Sequence, residues 1–211
     1  MSSTAFGQEN ADDWSSFRGN GTSLTSASNL PVAWGDESNI AWKAELPGYG
    51  QSSPVIWGKR VFATTMQGEM KDVPTILCVS LESGKEVWKK EFKSTQNIKA
   101  SDYVTRSSPT PAVDADRCYA FFESGELVAT DHDGNVQWQR SLVKEYGQFK
   151  GNHGIGSSIV IDDASVYVLA AHEGPSYLVA IDKATGKNRW KTDLDQKVAW
   201  SSPTLAGDQI I

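Results

Sequence analysis

Three stretches of the chain say the same thing in slightly different residues. Ser176 to Trp190, Leu77 to Trp88 and Leu127 to Trp138 each read as a strand, a tight polar turn and a second strand anchored by tryptophan. Recurrence at a spacing of about 50 residues restricts the chain to a repeat architecture. The turn residues have separate jobs: Asp182 or Asp131 bonds the backbone two residues on, and Gly84, Gly134 or Gly186 supplies a positive φ. Flanking residues are β-branched or aromatic and alternate with polar ones, as half-buried strands do. Upstream of each phrase stands an opener, Ser52-Ser53-Pro54, Ser107-Ser108-Pro109 or Ser157-Ser158-Ile159, and a fourth, Ser201-Ser202-Pro203, has no phrase after it. Between opener and phrase lies one more strand, starting at Arg60, Arg117 and Ser165.

Each unit thus predicts four short strands, the content of a propeller blade. The phrase Ala180-x-Asp182-x-x-Thr185-Gly186-x-x-x-Trp190, with its Ser-Ser-Pro opener, resembles the pyrroloquinoline-quinone-type β-propeller repeat. That family holds quinoprotein alcohol dehydrogenases and also non-enzymatic propellers of the BamB type, and the chain is more similar to the latter. The resemblance covers Trp14 onward and implies that Trp88, Trp138 and Trp190, with Trp42 in a partial copy, dock on the turn of a neighbouring blade. Blade one departs by having Ser80 for Asp, and blade two by a turn one residue shorter.

The expected fold is all-β: a partial propeller of four-stranded antiparallel blades over 13–211, behind a flexible tail at 1–12. Blades are expected at about 51–92, 106–142 and 156–194, and a further one begins at 198. Residues 39–46 read as a detached outer strand, the segment that in propellers completes the last blade. Trp14 and Phe17 belong to a leader expected to cover one end of the ring. Family propellers close with more blades than this, so the 211-residue chain is expected to be truncated relative to them.

Composition excludes several classes. A formal charge of −6, with acidic residues scattered, argues against nucleic acid and anionic membrane partners. No apolar run approaches the roughly 18 residues that a spanning helix needs. Residues 1–10 have neither an apolar signal core nor a lipidation cysteine. Relatives nevertheless make a periplasmic or extracytoplasmic location the expectation. Cys118 falls on an apolar position shared with Val61 and Val166, and Cys78 on a small-residue position shared with Ala129 and Ala180. Both read as buried thiols.

Candidate ligand-binding residues are those just before each opener, which lie nearest the propeller axis: Tyr49, Gln51, Tyr103, Arg106, Asn152, His153 and Trp200. Mixed aromatic and polar groups converging on one mouth suit a planar or anionic ligand. Other signals are weaker. Asp131-His132-Asp133-Gly134-Asn135 has the wrong spacing for a calcium loop, Gly154-Ile155-Gly156 precedes a strand and not a helix, and three histidines on separate loops make no local zinc motif. Quinoprotein dehydrogenases usually carry an adjacent cysteine pair, whereas Cys78 and Cys118 lie 40 residues apart, and no catalytic residue is singled out. The sequence therefore favours a non-catalytic module without a cofactor, binding a protein, peptide or small ligand and open to self-association through blade edges. The alternative is a dehydrogenase using pyrroloquinoline quinone with calcium, or a fragment of one.

Overall fold

A computed structural model describes residues 13–19, 21–97, 105–151, 154–207 and 209–211. Tyr103, Asn152 and His153, and the tail expected at 1–12, lie outside the described residues. The described residues form three four-stranded antiparallel sheets, each in simple sequential order, and a two-stranded fourth. Blade one is β1 (Val55–Trp57), β2 (Arg60–Gln67), β3 (Val73–Ser80) and β4 (Glu86–Glu91). Blade two is β5 (Ala112–Val113), β6 (Arg117–Phe121), β7 (Glu126–Asp131) and β8 (Val136–Ser141). Blade three is β9 (Val160–Ile161), β10 (Ser165–Ala170), β11 (Ser176–Asp182) and β12 (Asn188–Leu194), and β13 (Leu205–Ala206) pairs with β14 (Gln209–Ile210). One short helix, α1 (Leu142–Tyr146), lies in the connection after blade two, where Ser141 caps the amide of Lys144.

The period of two along β6 and β7 explains why blades stand side by side. Cys118, Ala120, Phe122 and Val128 enter a core shared with Val55, Phe62, Ile76 and Cys78 of blade one. Their alternate neighbours Tyr119, Phe121, Leu127 and Ala129 enter a second core with Val166, Val168, Val179 and Ile181 of blade three. Successive side chains of a strand point to opposite faces, so blade two is apolar on both and must be flanked on both. The outer strands β4 and β8 are solvent-exposed except at a few positions, chief among them the half-buried Trp88 and Trp138.

The tryptophan positions share one geometry. Trp42, Trp88 and Trp138 each donate Nε1–H, at 2.8 Å, to a backbone carbonyl in a turn: Leu81, His132 and Lys183 respectively. Each ring lies flat on the turn glycine, so that a Cβ at Gly186 would come within 2.8 Å of Trp138. Directly across the ladder from Trp88, Trp138 and Trp190 stand Cys78, Ala129 and Ala180. The small-residue position thus leaves room for an indole on the neighbouring strand. A β-bulge follows at the same point in all three blades and leads into the turn.

Residues 39–46 do not form the expected strand ladder among the described residues. An outer strand needs an adjacent strand of its own blade, and none of the described strands offers one. Trp42 still holds the segment to blade one. The leader is better tied: Trp14 exchanges backbone hydrogen bonds with Ile56, and Val113 N–H donates to Ser15 O, so it crosses the inner strands of two blades. Asp13 Oδ1 accepts from Gly58 N at 2.7 Å, doing for the inner hairpin of blade one what Asp114 and Asp162 do within their own blades.

Two glycines separate backbone cost from packing cost. Gly186 (φ +70°) touches Trp138, whereas Gly58 (φ +55°) has nothing within 4 Å of an added Cβ. Gly58→Ala should cost about 1 kcal/mol, the left-handed backbone term, and Gly186→Ala about 1–3 kcal/mol more because the indole must move. Urea unfolding of both variants measures the difference.

Candidate functional site

The inner edge of blades one and two is taken in part by the leader at Trp14 and Ser15, and the opener amides just before the inner strands find other acceptors. The openers supply them. Ser53 N–H donates to Thr110 Oγ1, Thr110 N–H to Ser158 Oγ, and Ser158 N–H to Ser202 Oγ, at 2.9–3.0 Å. Each bond crosses from one blade to the next. A second hydroxyl chain runs from Ser107 Oγ through Thr64 Oγ1 to Ser52 Oγ. Hydroxyls of Thr110, Ser158 and Ser202 are therefore inter-blade acceptors, and those of Ser107 and Ser108 inter-blade donors.

Around this belt the structure draws some of the sequence-predicted residues together. Gln51 Oε1 accepts from Thr105 Oγ1 at 3.2 Å and Ser108 Oγ at 3.4 Å, and its backbone N–H donates to Ser107 O. Arg106 sits in the same loop, 5 % exposed and in the left-handed region at φ +63°. Tyr49 turns to other partners: it bridges Met66 through the backbone, and Lys71 Nζ lies 4.9 Å from its ring centre. Trp200 lies beside Gly156 at the opener of blade three and is half exposed.

Glu123 is the residue that sequence reasoning missed. It sits at the tip of the β6–β7 hairpin, only 7 % exposed. Oε1 accepts from Ser108 N at 3.3 Å, while Oε2 is fully buried with no hydrogen-bond partner among the described residues. Burial lifts its titration from an ordinary 4.5 to about 6, opposed by hydrogen bonds from Ser108 and the Ile155 backbone and by the charge of Arg106. Burial correspondingly lowers the Arg106 guanidinium, with the charges of Glu123 and Asp72 opposing. A sequence signal did exist. With Cys118 set on Val61 and Val166, Glu123 falls on Met66 and Ala171, both buried, so an acid stands where two copies place an apolar side chain.

The other polar signals serve the scaffold. Asp131 accepts from Asp133 N, Asn135 N and Asn135 Nδ2. These bonds hold its own turn. His132 Nε2 lies 2.8 Å from Asp114 O, and the buried His172 accepts through Nδ1 from Lys150 N and Gly174 N. No group of three or more metal-ligating side chains occurs among the described residues. At the other end of the inner strands a concavity of about 1080 Å³ is lined by Phe17, Arg18, Trp57, Asp114, Asp162 and Lys183 among others. Lys183 Nζ is held there by Asp114 Oδ2 at 2.5 Å and Asp162 O at 2.9 Å.

The family model described as outer membrane protein assembly factor BamB matches residues 15–173 and 147–211. The chain belongs to this BamB-type family of PQQ-like repeats. The structure of BamB from Moraxella catarrhalis superimposes with a TM-score of 0.54 at 21 % identity, covering 81 % of this chain and 47 % of that one. A europium-containing methanol dehydrogenase gives 0.52 at 14 % identity, over 74 % of this chain and 26 % of that one. The quinohemoprotein alcohol dehydrogenase ADHIIG from Pseudomonas putida HK5 gives 0.50 at 17 %, over 72 % and 22 %. Such identities establish the shared fold, and this BamB-type chain spans about half the length of the solved BamB. Among curated proteins none matches it.

The raised titration of Glu123 has a defined sign. The folded state takes up the proton more readily than the unfolded chain, so the associated stability is fully present below pH 4.5 and is lost as pH rises through about 6. That loss amounts to about 2 kcal/mol. Glu123→Gln should remove this limb of the pH–stability curve while keeping an acceptor for Ser108 N–H, as denaturation at pH 4 to 7.5 would show.

Proposed function

We propose that the chain is a non-catalytic BamB-type propeller module, working outside the cytoplasm, that binds a protein, peptide or small ligand through the opener face. The observation that carries this reading is the BamB-type match across residues 15–211 on a skeleton whose opener hydroxyls are spent on blade-to-blade bonds. We read Trp42, Trp88, Trp138 and Trp190 as the structural staples of the family. Gln51 and Arg106, with Tyr49, Tyr103, Asn152, His153 and Trp200 from the corresponding sequence positions before the openers, are the residues assigned to the binding mouth. The edge of blade three, where Trp190 is 39 % exposed, suits self-association.

The quinone and its calcium ion do not fit the residues present. Cys78 and Cys118 are both free and fully buried in the core between blades one and two, in β3 and β6, with Cys118 directly across the ladder from Val113. Burial raises both thiols, Cys78 to about 11, which makes them inert packing groups. The carboxylates Asp114, Asp131, Asp162 and Asp182 are each engaged by their own turns. Adding pyrroloquinoline quinone with calcium should produce neither a shift in the quinone absorbance nor dye-coupled oxidation of alcohols or sugars. Saturable binding with turnover would replace this reading by the dehydrogenase one.

A further inference from the structure

The four inner strands share one register, yet only two of them are capped. Ile56, Val113, Ile161 and Leu205 are equivalent, paired across their hairpins with Val61, Cys118, Val166 and Ile210. In blades two, three and four a neighbouring pair closes the hydrogen bond: Asp114 N to Arg117 O, Asp162 N to Ser165 O, and Thr204 N to Ile211 O. Bonded and non-bonded pairs alternate along an antiparallel ladder, so the equivalent residues turn their N–H groups away from their own hairpins. The leader answers the first two. Ile56 N–H donates to Trp14 O and Val113 N–H to Ser15 O, both at 2.8 Å. Two successive leader residues thus cap two successive blades, and the leader then turns off at Ser16, whose carbonyl accepts from Gly19 N. The N–H groups of Ile161 and Leu205 receive no such acceptor among the described residues. Both residues line the concavity of about 1080 Å³, and neither is fully buried.

We propose that an extended, basic segment of a partner protein continues the leader's path across blades three and four, two successive main-chain carbonyls accepting from Ile161 and Leu205 N–H. Unpaired strand amides are a template for added main chain. The leader is the precedent, since it makes this contact on the two preceding blades of the same molecule. The lining selects the charge of the occupant. Asp114, Asp116, Asp162 and Asp163 face Arg18 and Lys183 around the concavity, and Lys183 is already neutralised by Asp114 at 2.5 Å. Asp116 and Asp163 are exposed, so the segment carries Lys or Arg beside its crossing pair. Tyr49, Gln51, Arg106 and Trp200 are not among the lining residues, so this site stands or falls apart from the opener-face mouth.

Amide hydrogen exchange of the ¹⁵N-labelled full chain, followed by NMR, tests this in two stages. Without a peptide, the Ile161 and Leu205 amides should exchange faster than those of Ile56 and Val113, and equal protection overturns the proposal. The probe is then acetyl-Lys-Trp-Ser-Ser-Lys-amide, which sets the leader's crossing pair between two lysines. It should bind saturably and slow exchange at Ile161 and Leu205 about fivefold or more, leaving Ile56 and Val113 unchanged. The same peptide with glutamates for lysines should bind more weakly, by a margin that shrinks as salt is raised. Leu205→Pro removes one donor at an edge position and should weaken binding about fivefold. Asp116→Asn combined with Asp163→Asn, both on exposed turns, should abolish the preference for lysine and keep the protection. No saturable binding, loss of protection at Ile56 and Val113, equal protection by spermidine (charge without a carbonyl), or binding unaltered in both variants overturns the proposal.

Discussion

A single carbonyl oxygen in each receiving turn holds the blades in register. His132 O accepts both the indole N–H of Trp88 and the guanidinium of Arg60, and Lys183 O accepts both Trp138 and Arg117. Two donors from one blade converge on one acceptor of the next, with the ring pressed on the turn glycine. Much of the repeat follows from that contact. The glycine must lack a Cβ, the residue across from the tryptophan must be small, and the bulge must present the turn at the right height. Blade three has Ser165 where the others have arginine, and its Trp190 is 39 % exposed.

The polar belt along the inner strands exists because the blades fan. Strands splayed around an axis cannot pair along their inner edges, and those edges demand side-chain acceptors. Hydroxyls meet the demand at low cost in volume, which accounts for the Ser-Ser-Pro opener. Once a belt of polar bonds occupies the inner edge, charged groups such as Arg106 and Glu123 can be placed beside it. The rest of the interior, the two apolar clusters on either face of blade two, has no such tolerance.

The repeat made the fold legible from the sequence, and the phrase ending in Trp88, Trp138 and Trp190 located strands and turns together. Positions read as small or apolar, such as Ala129 and Cys118, acquired their reason only from the cross-strand partner and the facing blade. Residues 39–46 carry a strand-like pattern without a ladder, because a pattern records which faces are apolar and not whether a neighbour is present. The site was less legible. Gln51 and Arg106 could be found from their place before an opener, but Glu123 comes from a hairpin tip and meets them only through folding. Its one sequence trace, an acid on a register shared with Met66 and Ala171, shows only when the copies are aligned strand by strand.

The indole contact also has a direction. Each four-stranded blade carries a plug on its last strand and a socket in the turn before it, and Trp42 already fills the socket of blade one. Insertion or duplication of one whole module, cut between plug and next socket, preserves every junction, so such a scaffold can be lengthened by copying genes in steps of one blade. A cut through a hairpin leaves an unmatched half on both sides. The arrangement favours rings that change size by integers.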